Sequence, residues 1–236
     1  MLLAKLMRPA TRILPFLAVA LVAGCGGSSS HQTTPPVKRQ NDHVPAGYRL
    51  RTVPEDGFSI AFPRRWQVVN HYDVLNEPGI VSSLSRIYPK ISNQVTAVAE
   101  DGSPVKLVGF DVSTARSTPT TVSVIVATPP RGSFDVWTKS VAKDVRTGSG
   151  RGVRVTERSV QLPAGRALVL SYSRRVSGTR VTSVHAFVVR GGRMFIVTVT
   201  SAHRAPALLE RIARTLTVTG VAPPDESPGI PDPNAG

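Results

Sequence analysis

The residues able to do chemistry in this chain are few, and they do not converge. Histidine occurs as His31, His43, His71, His185 and His203, and no two of these have the His-x-x-x-His spacing that sets two imidazoles on one helix face around a metal. Ser103 with Lys106, and Ser140 with Lys143, fit Ser-x-x-Lys, yet the Ser-Asp-Asn and Lys-Thr-Gly companions of such serine sites are missing. Ser183 and His185 alternate onto one strand face, which a packed, hydrogen-bonded strand produces as readily as a nucleophile with its base. There is no Gly-x-Ser-x-Gly elbow and no phosphate-cradling glycine loop; Asp56-Gly57 and Gly191-Gly192 read as turns. The expectation is a protein that is not an enzyme, with no catalytic residue, no metal site and no cofactor.

Arginine is the residue in excess. Between Arg146 and Arg193 stand Arg151, Arg154, Arg158, Arg166, Arg174, Arg175, Arg180 and Arg190, with Glu157 as the one acid of the interval. A planar guanidinium can hold a phosphate or carboxylate by two parallel bonds, so such a field attracts anions. Arg154, Arg158, Arg174 and Arg175 are the candidate anion-binding residues, with anionic lipids or wall polymers as partners. A solvated strand surface in a chain that prefers Arg to Lys gives the same composition. Nucleic acid is not expected as a partner, because no aromatic residues interleave with the arginines to form a stacking platform.

The only cysteine of the chain, Cys25, lies where a thiol has a specific use. Lys5, Arg8 and Arg12 precede an uncharged apolar run from Ile13 to Ala23, the charged-then-apolar layout of a secretory signal. That run is well short of the ~20 residues a bilayer-spanning helix needs, and Pro15 lies inside it. Its end, Val22-Ala23-Gly24-Cys25, resembles the lipobox of bacterial lipoproteins. The resemblance implies diacylglyceryl transfer to Cys25, cleavage before it, acylation such as palmitate, and residence on the extracytoplasmic face of the plasma membrane. Two or three acyl chains suffice for stable anchoring where one is marginal. Without a second cysteine the chain has no internal disulfide and must rest on its hydrophobic core.

The organisation that follows is a signal at residues 1–24, a tether at 25–45, a domain at 46–219 and a tail at 220–236. The tether, rich in Gly, Ser and Thr and holding Pro35 and Pro36, buries too little apolar surface to fold. Its mean reach is on the order of 25 Å. The tail carries Pro223, Pro224, Pro228, Pro231 and Pro233 and reads the same way. Removing Lys5, Arg8 and Arg12 from the 29 Lys+Arg leaves 26 against 15 Asp+Glu, so the mature chain stands at +11.

Within the domain, Tyr48–Val53 and Phe58–Phe62 alternate as strands joined by Pro54-Glu55-Asp56-Gly57. Val81, Leu84, Ile87, Tyr88, Ile91, Val95 and Val98 recur at helical steps, with Pro89 set to break or kink the helix. Lys106–Asp111 and Thr121–Ala127 predict strands. Phe134, Trp137, Val141 and Val145 predict a helix capped at Gly132-Ser133. Val153–Leu162, Ala167–Arg174, Arg180–Arg190 and Arg193–Thr200 predict four strands, with turns at Pro163-Ala164-Gly165, Gly178 and Gly191-Gly192. In the last pair Val184, Ala186 and Val188 face one way and Phe187 and Val189 the other, while Phe195, Val197 and Val199 oppose Met194 and Ile196, so both faces of the sheet are covered. A helix from Ala205 to Leu216 buries Leu208, Leu209, Ile212 and Leu216. The fold class is α+β, a central antiparallel sheet flanked by helices. Trp66 and Trp137 read as core among periodic apolar neighbours rather than as pocket walls. The segment from Asn70 to Gly79 shows no period and is the place for a lid, if a ligand exists.

Asp56-Gly57-Phe58-Ser59-Ile60-Ala61-Phe62-Pro63, followed by Trp66, resembles the opening hairpin of PsbP-like proteins. That family includes a photosystem extrinsic subunit, a nuclear Ran-binding factor and actinobacterial lipoproteins of the LpqN type. The terminal hairpin with Phe187 and Phe195 and the helix around Leu209 and Ile212 resemble the family's ending. The resemblance covers most of Tyr48 to Val218 and implies an α/β/α sandwich used mostly for binding. The photosystem-contacting and Ran-contacting residues have no match, and Phe58, Pro63 and Trp66 transfer as structural positions alone.

The resulting expectation is a lipid-anchored envelope protein acting as a binding or adaptor module for a lipid, glycan or protein partner. The alternative is a carrier holding an apolar ligand between sheet and helix, or a hydrolase whose triad one sequence does not reveal.

Overall fold

In the computed structural model, residues 44–77, 79–114, 119–150, 152–202 and 205–219 are described, all within one compact unit. The signal, Cys25, nearly all of the tether, the tail, His31, His43, His203 and Arg151 lie outside the described residues. The first hairpin pairs β1 (Tyr48–Val53) with β2 (Phe58–Pro63). Its connection is a single 3-10 turn, Pro54–Asp56, closed by Gly57 at φ 60, the left-handed position that the Asp-Gly pair anticipates. Near the other end of the chain a two-residue strand, β10 (Thr217–Val218), pairs with the free side of β2 and makes a three-stranded sheet.

The larger sheet has seven strands, all antiparallel: β3 (Gln67–Asn70), β4 (Val105–Phe110), β5 (Thr121–Ala127), β6 (Val155–Leu162), β7 (Gly165–Val176), β8 (Thr179–Arg190) and β9 (Arg193–Ser201). Their order is β3-β4-β5-β9-β8-β7-β6, so both ends of the sheet are edge strands. Helices are α1 (His71–Asn76), α2 (Gly79–Ile87), α3 (Ser92–Ala99), α4 (Phe134–Ser149) and α5 (Ala205–Ala213). The α+β class with a central antiparallel sheet and packed helices is therefore what the chain adopts. No helix among the described residues is long and apolar enough to cross a membrane.

The two-faced strands β8 and β9 account for the layers. On one face Val184, Ala186, Val188, Phe195, Val197 and Val199 join Phe58, Ile60 and Phe62 of the small sheet and Leu209 and Ile212 of α5. Phe58 meets Phe195 edge to face at 5.9 Å. On the other face Leu168, Leu170, Phe187 and Ile196 pack under Trp137, Val141 and Ala142 of α4. Near the β3 edge a third cluster joins Val69 and Phe110 to Leu84, Ile91 and Val95 of the short helices. Trp66 and Trp137 are both core.

The stripe from Val81 to Val98 is two helices, broken as expected at Pro89, which begins a 3-10 turn that separates α2 from α3. Three departures from the sequence reading have local causes. Asn70–Gly79, expected as a loop, is largely helix α1: the Asn70 side chain accepts from Asp73 N at 2.7 Å and the Asp73 carboxylate accepts from Asn70 N at 3.0 Å, a reciprocal cap. The last helix ends at Ala213 rather than Leu216. There Thr215 Oγ1 donates to Ile212 O at 2.7 Å and accepts from Ala61 N at 2.8 Å, turning the chain toward β10. Ser133 holds the cap position of α4 but its hydroxyl makes no capping bond.

Candidate functional site

The arginines divide by partner. Arg146 donates to Glu157 at 2.6 Å, Arg166 reaches Asp135 at 3.7 Å and stacks 4.0 Å over the Phe134 ring, and Arg193 donates to Asp56 at 3.1 Å. Arg214 bonds Glu210 at 2.9 Å. That hydrogen bond, followed by the charges of Arg214 and of Arg158, holds the Glu210 carboxyl below its usual range against slight burial. Arg158 thus belongs to a narrow groove under α5, lined by Val160, Leu209 and Glu210, whose volume of about 20 Å³ is room for a single water.

Arg154, Arg174, Arg175 and Arg180 have no carboxylate within ion-pair distance among the described residues. All four gather at one end of the sheet. Arg175 lies opposite Arg180 and Arg174 opposite Val181 in the β7–β8 register, and Arg154 immediately precedes Val155, the partner of Tyr172. The four expected anion-binding residues therefore do not form one set. Arg174 and Arg175 come together and Arg154 lies at their end of the sheet. Arg158, opposite Val169, is placed farther in and beside an acid. Arg180 and Ser173 were missed as site residues; the two-residue turn at Ser177-Gly178 is the signal that would have set Arg180 against Arg175.

The hairpin positions this cluster. β7 and β8 are 12 residues each, whereas β6 begins at Val155 beside Tyr172 and β9 ends at Ser201 beside Thr182. From Arg174–Val181 outward the two strands have only each other, a ribbon of three residue pairs that projects roughly 10 Å at ~3.4 Å per residue. Ser177 and Gly178 both have positive φ, 49° and 81°, as a type I′ turn requires. Arg175 Nη1 donates to Gly178 O at 3.2 Å, holding one guanidinium over the turn. At the ribbon's base Ser173, Arg174, Arg175 and Arg180 line a shallow, open hollow of about 280 Å³, and the Ser173 and Thr182 hydroxyls bond each other at 2.8 Å. Guanidinium forks beside hydroxyls suit a phosphate or carboxylate and offer nothing to a cation.

The remaining candidates are occupied with structure. His185 Nδ1 bonds Thr198 Oγ1 at 2.9 Å, its ring stacks on Tyr172 at 5.5 Å, and its Nε2 is buried with no partner. Burial lowers its pKa to about 4. Nε2 is enclosed and Nδ1 is bonded, so the imidazole is neutral at neutral pH. Ser183 bonds Thr200 Oγ1 at 3.2 Å, so Ser183 and His185 each bond across to β9. Ser103 Oγ accepts from Val105 N at 3.2 Å, and Ser140 and Lys143 lie on the exposed side of α4. His71 Nδ1 bonds Val98 O at 2.9 Å. Among the described residues no group of His, Cys, Asp and Glu is arranged to hold a metal ion.

No protein-family model and no curated protein matches the chain. Among solved structures it is similar to cyanobacterial PsbP (CyanoP) from Synechocystis, at 14% identity and a TM-score of 0.47, over 84% of this chain and 98% of that one. It is also similar to a Bacteroides thetaiotaomicron protein, at 13% identity and a TM-score of 0.43, over 73% of this chain and 48% of that one. A Pseudomonas aeruginosa protein of unknown function follows at 13% identity and a TM-score of 0.32. At these identities no residue role passes from any of them to this chain.

Proposed function

We propose that the chain is a PsbP-like envelope lipoprotein, anchored through Cys25 on the outer face of the plasma membrane, that binds anionic groups through the end of the β7–β8 hairpin and has no catalytic role. The anchor rests on the signal layout and on Val22-Ala23-Gly24-Cys25. The binding role rests on one observation: Arg174, Arg175 and Arg180, with no carboxylate at ion-pair distance among the described residues, are brought together at the hairpin end, while Arg146, Arg166 and Arg193 are paired. Cationic side chains left unpaired and brought together raise the local potential for an anion, and the hydroxyls beside them add bonds to its oxygens.

The carrier alternative has little support, since the groove between α5 and the sheet is of water size. Two measurements test the proposal. Metabolic labelling with an alkyne-bearing fatty acid should mark the wild-type chain and not Cys25→Ala, and the variant should leave the membrane fraction. The mature chain without its acyl groups (residues 26–236) should pellet with vesicles containing phosphatidylglycerol or bind soluble polyphosphate, less strongly as salt rises. Retention of neither polyanion at low salt removes the binding role.

A further inference from the structure

The proposed anion-binding role leaves open which anionic surface is met, and the shape of the ribbon bears on that. Its outermost strand pair is Val176–Thr179, and Val176 is 44% exposed, an aliphatic side chain at the extreme tip between Arg175 and the Ser177-Gly178 turn. The segment reads Arg174-Arg175-Val176-Ser177-Gly178-Thr179-Arg180, and no Asp or Glu occurs between Glu157 and Glu210. Apolar tip, cationic flanks and absence of carboxylates follow one another along a single projecting axis.

Length is the second observation. The ribbon stands roughly 10 Å beyond its neighbouring strands at ~3.4 Å per pair. The polar zone on each side of a bilayer is about 5–8 Å deep, half the difference between ~40–45 Å overall and ~30 Å of hydrocarbon. A ribbon of that length takes its tip through the headgroups while β6 and β9 stop outside them. Guanidinium groups one or two residues behind the tip then lie at phosphate depth, where each can take two parallel bonds. A soluble wall polymer would use the arginines equally well and would have no use for an exposed valine at the apex.

We propose that the β7–β8 ribbon is a bilayer probe: Val176 enters the acyl boundary of an anionic phospholipid leaflet while Arg174, Arg175 and Arg180 hold lipid phosphates. This deepens the anion-binding reading and rests on it. A domain already tethered by acyl chains would thereby be held in one orientation, with the ribbon end toward the lipid.

The test uses the mature chain lacking acyl groups, with Val176→Trp as a reporter; the native Trp66 and Trp137 are buried and give a constant background. Vesicles are phosphatidylglycerol mixtures, phosphatidylcholine alone, and phosphatidylglycerol with acyl chains brominated near the glycerol. The introduced indole should shift to the blue and be quenched by the bromines on anionic vesicles, and do neither on phosphatidylcholine. Each cationic side chain near such a surface contributes a factor of about five, so the triple change Arg174→Gln, Arg175→Gln, Arg180→Gln should weaken binding on the order of a hundredfold. Val176→Asp should weaken it with all arginines in place. Arginine-dependent binding with an unquenched, unshifted indole would overturn the probe and leave the anion-binding proposal standing. Binding to neither vesicles nor polyphosphate would overturn both.

Discussion

Arg175 and Arg180 stand directly opposite one another in the β7–β8 register, two like charges across a ribbon with no carboxylate between them. Directly opposed like charges destabilise a strand pair by roughly 0.2–1 kcal/mol. The arrangement is unfavourable for the free protein and favourable once an anion lies between the guanidinium groups.

Arg180→Thr should therefore raise stability and lower function together. Urea denaturation is expected to give a gain of about 0.2–1 kcal/mol, from the removed repulsion and a β-branched replacement. Binding to anionic vesicles or polyphosphate should fall in the same variant. Parallel loss of both would show the pair to be structural.

His185 should make stability depend on pH. Its pKa is lowered by burial from 6.5 to about 4, and its neighbours Tyr172, Phe187 and Thr198 are uncharged in that range. Between those values the unfolded chain binds the proton and the folded chain does not, so stability rises with pH up to about 6.5 and is lost as pH falls toward 4. The full effect is at most about 3 kcal/mol. His185→Gln should flatten this part of the profile, measured as unfolding free energy at pH 7.5, 6, 5 and 4.5.

Thr215 joins the end of α5 to β2. Its hydroxyl, in a residue 2% exposed, accepts from Ala61 N and donates to Ile212 O. Thr215→Val keeps the shape and leaves the Ala61 N–H buried without a partner, which costs about 1–3 kcal/mol. Thr215→Ser should recover most of that loss in the same denaturant series.

Gly109 permits the close approach of a ring. A Cβ at this position would lie 2.9 Å from Cδ1 and Cε1 of Phe62, itself fully buried. Gly109→Ala should destabilise by roughly 1–3 kcal/mol through overpacking. Adding Phe62→Leu should cost less in that background than in the wild type, a coupling that a double-mutant cycle reads directly.

Legibility varied with the length of the pattern. β5 was read to the residue, and the opposed faces of β8 and β9 forecast two covered sides, because seven to twelve residues of alternation separate the faces cleanly. β3 and β10, at four and two residues, carry no readable period and owe their existence to partners on β4 and β2. α1 is set by the Asn70–Asp73 cap rather than by an apolar stripe; Tyr72 and Leu75 on it are 57% and 62% exposed. For the site, the arginine excess was plain and its neutralisation was not. Asp56 and Asp135 lie outside the arginine-rich interval and reach Arg193 and Arg166 only through tertiary packing. Arg158 was grouped with Arg154, Arg174 and Arg175, and the fold instead sets it beside Glu210.

The pairing of β10 with β2 also dictates timing. Val218 is opposite Phe58, and Thr219 N bonds Gly57 O at 2.8 Å, so the earliest hairpin of the domain acquires its third strand only when the last turn of polypeptide arrives. Until then one edge of β2 is bare and the Ala61 N–H waits for Thr215. Such distant partners make for slow maturation. A ribosome releasing this chain would hold a domain unable to close until residues 217–219 are free, which leaves an interval in which it can still be bound by a chaperone or degraded.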